Sequence, residues 1–136
     1  MKKLYVVGNK VSKSLSPTIF NYWFKKYNIK ASYGYLELTE KNFHRKIKEV
    51  LEKKDTLGLN VTIPFKNKII KHLGKIDAHA KKIGAVNCVT NKKTINGTNT
   101  DWTGYYKTLP NIKKTKNRKV IILGYGGASH AIHYVL

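Results

Sequence analysis

The amino-acid sequence predicts an α/β fold, because short strand-like and longer helix-like apolar patterns alternate along its 136 residues. Leu4–Val7 is an apolar run that Gly8 ends, and a helical pattern follows it. Leu57–Val61 alternates between apolar and small or polar residues, and Pro64 ends this strand because proline has no N–H to donate. Val120–Leu123 is a third strand-like run, which leads into glycine-rich residues and another helical pattern.

The residues after the first strand predict helix, strand and helix. Ser16 is a suitable N-cap and Pro17 a suitable first helical residue, and apolar residues three or four apart continue to Tyr27. Ala31–Leu38 alternates and therefore predicts a strand. Thr39 begins the second predicted helix, and the residues on its apolar face are Phe43, Ile47, Val50 and Leu51.

The second half of the chain predicts two short helices, a β-hairpin and one further helix before a linker. The two helical segments and the two hairpin strands are, in order, Asn67–Leu73, Asp77–Ile83, Ala85–Thr90 and Thr94–Asn99. Asp101 is a suitable cap for a short helix that reaches Leu109. Pro110–Asn117 is polar and lysine-rich, and it predicts a linker between domains.

The composition favours a globular protein with a strongly basic surface. Its formal net charge of +20 at pH 7 raises the question of a polyanionic partner. However, the cations are almost all lysine, with Arg45 and Arg118 as the exceptions, and they are spread along the whole chain. Nucleic acid is therefore disfavoured as a partner, and a solvated lysine-rich surface is the preferred interpretation. A hydrophobic content of 41% does not indicate disorder.

The cysteine count and the apolar segments bear on the cellular compartment. Cys88 is the single cysteine, so no intramolecular disulfide can form and a reduced, cytoplasmic setting is expected. The apolar run near the N-terminus is too short for a signal peptide, and no stretch approaches the length of a membrane span.

The end of the Leu57–Val61 strand carries residues suited to catalysis. It delivers Asn60, Thr62 and Lys66 to one edge of the predicted sheet, which is where ligands bind in open α/β sheets. A lysine held there can donate or accept a proton, because burial and neighbouring charges tune its ammonium group. The alternative is a solvated lysine with no chemical role.

Hydroxyl groups lie just ahead of the first predicted helix. Ser14 and Ser16 stand where free backbone N–H groups and the helix dipole favour an anion, so both are candidates to bind a carboxylate. Simple capping explains Ser16 equally well, whereas Ser14 has no predicted capping role.

Two more polar residues are candidates for the same site. Asn87 interrupts an apolar strand, and the commoner explanation is a structural asparagine bonded to the backbone. Asp101 is either an N-cap or a partner of Lys66, in which case its carboxylate would orient the ammonium and accept a substrate hydroxyl.

A glycine-rich turn follows the Val120–Leu123 strand. Gly124 and Gly126 match the first two glycines of a dinucleotide-binding fingerprint, and Ser129 takes the third position. Between an apolar strand and a helix, the backbone N–H groups of such a turn can bind a pyrophosphate. The histidines show no metal-ligand spacing with acidic or cysteine residues, so no metal site is predicted.

Together these motifs resemble the shikimate dehydrogenase family. In order they are Gly8-Asn9 with Ser14-Leu15-Ser16-Pro17, Asn60–Lys66, Gly84–Asn87, Asn99–Asp101 and Gly124–Ser129, and they cover nearly the whole chain. The resemblance implies a three-layer, mixed-sheet substrate domain that binds shikimate over residues 1–109. Residues 110–136 would be a linker and the first strand, turn and helix of a truncated Rossmann-type domain. The implied reaction is NADP-dependent reduction of 3-dehydroshikimate to shikimate, a step toward chorismate and the aromatic amino acids.

The resemblance also implies roles for individual residues. Lys66 would be the acid/base group at the reacting oxygen, with Asp101 as its partner, and Ser14 and Ser16 would hold the substrate carboxylate. The residues that would hydrogen-bond the ring hydroxyls are Asn60, Thr62, Asn87 and Asp101. Those that would hold NADP are Gly124, Gly126, Gly127, Ala128 and Ser129.

Three positions depart from the family pattern, and so does the length. Lys10 replaces proline, Lys13 replaces histidine, and Tyr125 replaces a small residue in the glycine turn. The rest of the family's cofactor domain would lie beyond Leu136. A truncated gene product, a split protein or a partial sequence is therefore expected, with little or no activity by itself.

Alternatives to this assignment stay open. One is a quinate/shikimate dehydrogenase with relaxed specificity, although serine at both 14 and 16 favours the shikimate type. Another is a non-catalytic module that binds a small acid or a polyanion. The choice between NADP and NAD and the oligomeric state are open as well, with a homodimer as one alternative.

Overall fold

The computed structural model describes residues 1–109 and 119–136. Its strands are β1 (Lys2–Gly8), β2 (Ala31–Glu37), β3 (Thr56–Val61), β4 (Lys75–Ile76), β5 (Cys88–Asn91) and β6 (Ile95–Thr98). Its α-helices are α1 (Ser16–Lys26), α2 (Phe43–Leu51), α3 (Ala78–Ile83), α4 (Asp101–Thr108) and α5 (Gly127–Val135). A 3₁₀-helix spans Lys68–His72.

The strands form one mixed sheet in the order β2-β1-β3-β5-β6-β4. β1 is parallel to both β2 and β3, whereas β5 is antiparallel to β3 and β6, and the short β4 is parallel to β6. Because β1 and β3 run in the same direction, with Val7 opposite Val61, their carboxyl ends meet at one edge of the sheet. The segments that follow these two strands therefore lie side by side at that edge.

Successive side chains of β1 belong to two different apolar cores. Val7 belongs to a cluster with Phe43 of α2, while Val6 belongs to another cluster with Tyr33, against which Phe24 of α1 packs. Since successive side chains of a strand point to opposite faces, α1 and α2 cover opposite faces of the sheet. The predicted α/β fold with a mixed sheet in three layers is confirmed.

The α2 face predicted from the sequence forms the larger core. Phe43, Ile47, Val50 and Leu51 are all buried. The ring of Phe43 stacks on that of Phe65, with 4.2 Å between the ring centroids, and both side chains are fully buried. Removing a buried ring of this kind costs about 3–5 kcal/mol. Phe65 thereby anchors the backbone immediately before Lys66.

A third apolar cluster holds α5 against α3 and α4. Ala131 of α5 is fully buried beside Ile83, and Trp102 and Tyr134 pack at its margin. The imidazole of His79 stacks on Trp102 at 4.3 Å between centroids, and its Nδ1 lies 2.8 Å from the Tyr134 hydroxyl. This packing places the start of α5 next to the residues that follow β3.

For three helices the cap or first residue differs from the one predicted, and one of them is α4, whose N-cap is Thr100 and whose first helical residue is Asp101. Leu15, not Ser16, is the N-cap of α1, and Ser16 is its first helical residue, with no capping bond from a side chain. α2 begins at Phe43 rather than at Thr39, because Thr39 lies in a preceding turn where its N–H donates to Asn42 Oδ1 at 2.9 Å.

Two strand predictions also need correction. β5 begins at Cys88, so Asn87 does not interrupt a strand but stands just before one, with its carbonyl accepting from the Val61 N–H at 2.8 Å. β4 was not predicted, because a strand of only two residues, Lys75 and Ile76, is too short to show an alternating pattern.

The strand predicted at Val120–Leu123 is not formed, although the helix after it is. The side chains of Ile121 and Leu123 are 86% and 94% exposed. The backbone N–H and C=O groups of a strand must pair with those of a neighbouring strand. Among the described residues, no strand lies beside this segment. The linker predicted at Pro110–Asn117 lies outside the described residues.

Candidate active site

A cavity of about 600 Å³ opens at the sheet edge where β1 and β3 end. Every residue predicted to bind substrate lines it: Ser14, Ser16, Asn60, Thr62, Lys66, Asn87 and Asp101. These residues come from the loop after β1, from β3 and the segment after it, and from the segments that flank the β5–β6 hairpin. The parallel alignment of β1 and β3 brings the first two groups together.

Lys66 and Asp101 form an ion pair on the wall of this cavity. Lys66 Nζ donates to Asp101 Oδ2 at 2.7 Å, and the two side chains are 12% and 31% exposed. The carbonyl of Lys66 accepts from the Val86 N–H at 2.8 Å, which ties the lysine backbone to the segment before β5. The Lys66 ammonium therefore has a fixed position with one face open to the cavity.

Two asparagines hold the Asp101 carboxylate in place. Asn87 Nδ2 donates to Asp101 Oδ1 at 2.7 Å, and Asn87 Oδ1 accepts from the Thr100 N–H at 2.8 Å. Asn99 is 3% exposed, and its amide accepts from the Asp101 N–H at 2.9 Å and donates to the Ala85 carbonyl at 2.9 Å. With both carboxylate oxygens engaged, Asp101 cannot turn away from Lys66 without breaking these bonds.

The serine loop, residues 9–16 from the end of β1 to the first residue of α1, is held by a carboxylate on β2. Glu37 Oε2 accepts from the backbone N–H groups of Val11 at 2.9 Å and Ser12 at 3.0 Å. Bonds from these N–H groups, first of all that of Ser12, hold the pKa of the Glu37 carboxyl below its usual value. Ser14 also has a local role that was not predicted, since its Oγ accepts from the Ser16 N–H at 3.3 Å.

Asn60 is oriented by a buried tyrosine. The Tyr33 hydroxyl donates to Asn60 Oδ1 at 2.7 Å, and the tyrosine side chain is 4% exposed. Burial, followed by the proximity of Cys88, raises the pKa of Tyr33 to about 12. Tyr33 therefore stays a hydrogen-bond donor throughout the physiological range, and its bond to Oδ1 does not occupy the amide nitrogen of Asn60, a residue that lines the cavity.

The glycine turn packs directly against the Lys66 side chain. Gly126 is the N-cap of α5 and Gly127 its first residue. A Cβ on Gly127 would lie 3.0 Å from both Cβ and Cδ of Lys66, whereas one on Gly124 or Gly126 would meet nothing within 4 Å. The Ser129 hydroxyl donates to the Gly126 carbonyl at 2.7 Å.

This turn has the features that a pyrophosphate requires. The first backbone N–H groups of α5 have no carbonyl partner within the helix, and the space beside Gly124 and Gly126 is open. Gly124 adopts a φ of +113°, a value that favours glycine. The residues present therefore fit the phosphate-bearing part of a dinucleotide.

Residues 1–109 and 119–136 carry neither a cluster of metal ligands nor a membrane-spanning helix. No group of three or more histidine, cysteine, aspartate or glutamate side chains there is arranged to hold a metal ion. None of the helices in the same residues is long and apolar enough to cross a membrane.

Residues 6–89 match the family model described as the shikimate dehydrogenase substrate binding domain. The chain belongs to the shikimate dehydrogenase family. The predicted resemblance is thereby confirmed, and the match includes the end of β1, the serine loop, β3, Lys66 and Asn87.

Named relatives and solved structures agree with this assignment. The chain is 42% identical over 137 residues to the shikimate dehydrogenase (NADP(+)) of Staphylococcus aureus strain Newman, and the match covers 98% of this chain and 50% of that protein. Shikimate dehydrogenase 1 from Peptoclostridium difficile is 32% identical with a TM-score of 0.86, over 99% of this chain and 50% of that one. The Thermus thermophilus enzyme, solved with NADP(H) and shikimate, is 29% identical with a TM-score of 0.81, and the match covers 99% of this chain and 51% of that one. The chain thus spans about half the length of the relatives it matches.

Several residues that shape the site have no local signal in the sequence. Tyr33 and Glu37 lie on β2, and each acts across the sheet on a segment far away in the chain. No local pattern indicates such a contact, because it depends on the register between strands. Asn99 was noted only as part of a motif, although its burial makes it the residue that places Asp101.

Proposed function

We propose that this chain supplies the substrate-binding part and the acid/base pair of an NADP-dependent shikimate dehydrogenase, which interconverts 3-dehydroshikimate and shikimate. The observation that carries the proposal is the Lys66–Asp101 ion pair on the wall of a cavity that Ser14 and Ser16 also line. Because the chain spans about half of its curated relatives, it would act as one part of the complete enzyme.

The cavity offers separate groups for the two ends of such a substrate. At one end, the Ser14 and Ser16 hydroxyls lie beside the start of α1 and would donate to the carboxylate. At the other, Asn60, Thr62 and Asn87 would hydrogen-bond the ring hydroxyls, and Asp101 would share in this. The site would therefore fix the ring with the reacting oxygen against Lys66.

Lys66 would carry out the proton transfer. As the ring ketone is reduced, the Lys66 ammonium donates a proton to the carbonyl oxygen, which becomes the hydroxyl of shikimate. In the oxidative direction the neutral Lys66 amine takes the same proton back. Asp101 keeps the ammonium aimed at this oxygen through the 2.7 Å contact and stabilises its positive charge.

NADP is the proposed cofactor, and it supplies or accepts the hydride. Gly124, Gly126, Gly127, Ala128 and Ser129 would hold its pyrophosphate at the N-terminus of α5. Residues 1–109 would then form the shikimate-binding domain, and residues 110–136 the linker and the start of the cofactor domain. We place the reaction in the cytoplasm, on the route to chorismate and the aromatic amino acids.

Binding of shikimate to the 136-residue chain tests the substrate site. In an NMR titration of the isotope-labelled chain, weak binding is expected, with shikimate shifting the amide signals of Asn60 and Asn87 in a saturable manner at high ligand concentration. Lys66→Ala should weaken this binding at least several-fold, whereas Lys71→Ala, which removes an exposed lysine from the 3₁₀-helix, should not. No saturable shift, or equal affinities of the two variants, would contradict the proposal.

Turnover tests the catalytic role. The 136-residue chain alone is expected to turn over little, and NADP reduction at the rate of the complete relative would show this expectation to be wrong. A chimera that appends the second half of the Staphylococcus aureus relative should reduce NADP⁺ in the presence of shikimate. In that chimera Lys66→Ala should lower kcat by about two to four orders of magnitude, as expected when a general acid/base is lost. A kcat within a few-fold of the parent would exclude the role.

A further inference from the structure

The serine loop also brings two lysines to the cavity. Lys10 and Lys13 line the same cavity as Ser14, Ser16 and Lys66, and both are exposed. Neither forms an ion pair with an acidic side chain in the described part of the chain. Their charges are therefore available to an anion that enters the cavity.

Two acidic groups bear on these lysines, Asp101 in the same cavity and Glu37 through the charge of Lys10, and both are already engaged. Asp101 is bonded to Lys66 and Asn87. Glu37 lies close enough to Lys10 to be affected by its charge, but Glu37 Oε2 accepts the backbone N–H groups of Val11 and Ser12. Lys13, between Ser12 and Ser14, has no carboxylate partner among the described residues.

We propose that Lys13, supported by Lys10, forms with Ser14 and Ser16 a subsite that selects a carboxylate-bearing substrate by its charge. The two serines supply directional hydrogen bonds, whereas the lysines supply a local positive potential that favours the anion over a neutral molecule of the same shape. This inference rests on the proposed function, because it assigns the lysines to the carboxylate end of the same ligand.

The expected size of the effect follows from the exposure of the lysines. An exposed charge pair is weak, so removal of both lysines should lower the affinity for a carboxylate by about three- to tenfold. Because solvent-exposed charges are screened by salt, this difference should shrink as the ionic strength rises. A neutral ligand should show no such difference.

The experiment compares two double variants with the same net charge. One is Lys10→Ala/Lys13→Ala, and the other is Lys53→Ala/Lys54→Ala, which removes two exposed lysines just before β3, at the opposite edge of the sheet. The dissociation constants of shikimate and of its uncharged methyl ester are measured for both variants and for the unaltered chain, at low and at high ionic strength. Thermal melting of all three proteins controls for folding.

The proposal requires that the first variant alone loses affinity, that it does so for the acid and not for the ester, and that salt reduces the loss. Equal loss in both variants would mean that only the overall charge matters, and equal loss for acid and ester would mean that the loop was distorted; either result overturns the proposal. An unchanged affinity in the first variant overturns this inference alone. Failure of the unaltered chain to bind shikimate overturns the proposed function and this inference with it.

Discussion

Lys66 and Asp101, 35 residues apart in the chain, meet at 2.7 Å on the wall of the cavity at the end of β1 and β3. A different buried residue fixes the position of each of these two side chains. The buried Phe65 ring anchors the backbone before the lysine, and the buried Asn99 amide bonds the backbone N–H of the aspartate. The pair is therefore a consequence of two separately packed segments rather than of a flexible surface contact.

The first prediction concerns the charge of Asp101. Asp101→Asn keeps the size of the side chain but removes its negative charge, so the ion pair with the Lys66 ammonium is lost. We expect kcat of the chimera to fall by about ten- to a hundredfold, consistent with about 1.5–3 kcal/mol for a hydrogen bond to a charged group. Steady-state kinetics checks this. Asp55→Asn, which removes the partner of Lys3 in an exposed ion pair, should leave kcat unchanged; equal effects of the two substitutions would contradict the prediction.

The second prediction uses the contact between the glycine turn and Lys66. Gly127→Ala places a methyl group about 3.0 Å from the Lys66 stem, which must then shift by a few tenths of an ångström beside Asp101. Overpacking of this kind costs about 1–3 kcal/mol, so shikimate binding by the 136-residue chain should weaken several-fold even without cofactor. Gly126→Ala is the matched control, because its Cβ would meet nothing within 4 Å. Equal shikimate affinities of the two variants would show that the contact has no influence on the site.

The third prediction concerns the clamp that Glu37 forms on the serine loop. The pKa of this carboxyl is lowered in the folded protein from the ordinary 4.5, so its contribution to stability is present above that pH and is lost as pH falls through the lowered value. Glu37→Gln should remove this part of the acid sensitivity and weaken shikimate binding at neutral pH. Thermal melting between pH 2 and pH 7 measures the first effect and calorimetry the second. Identical pH dependence of the melting temperature in the parent and in Glu37→Gln would argue against the clamp.

The fourth prediction concerns Tyr33. Its pKa is raised from 10.0 to about 12, so the folded protein keeps the phenol proton at a pH where the unfolded chain has released it. Stability should therefore fall as pH rises from about 10 toward 12, and Tyr33→Phe should lack this part of the slope. The substitution also removes the hydrogen bond to Asn60, which is expected to cost about 1 kcal/mol. Tyr35→Phe, at an exposed position on the same strand, is the control in the alkaline melting series; if both variants keep the parent's slope, the burial argument fails.

Much of this architecture was predictable, because local sequence patterns indicate the strands and the buried faces of the helices. The alternation in Leu57–Val61 and the proline after it indicated β3 and its end, and the spacing of Phe43, Ile47, Val50 and Leu51 indicated the buried face of α2. Helix starts were less well predicted, since a serine or threonine that suits a cap competes with neighbours for that position. The strand predicted at Val120–Leu123 was wrong for a different reason. An apolar run becomes a strand only where a second strand lies beside it, and the sequence pattern does not show whether one does.

The sequence by itself determined the α/β class, the family and the identity of the residues that line the cavity, since strand ends, hydroxyl-rich loops and glycine turns are local features. Only the tertiary structure decided how those residues are held. Hydrogen bonds join Tyr33 to Asn60, Glu37 to the serine loop and Asn99 to Asp101, and Gly127 packs against the Lys66 side chain. The physical reason is that each of these contacts joins segments brought together by sheet register and helix packing. Distance along the chain carries no information about such contacts.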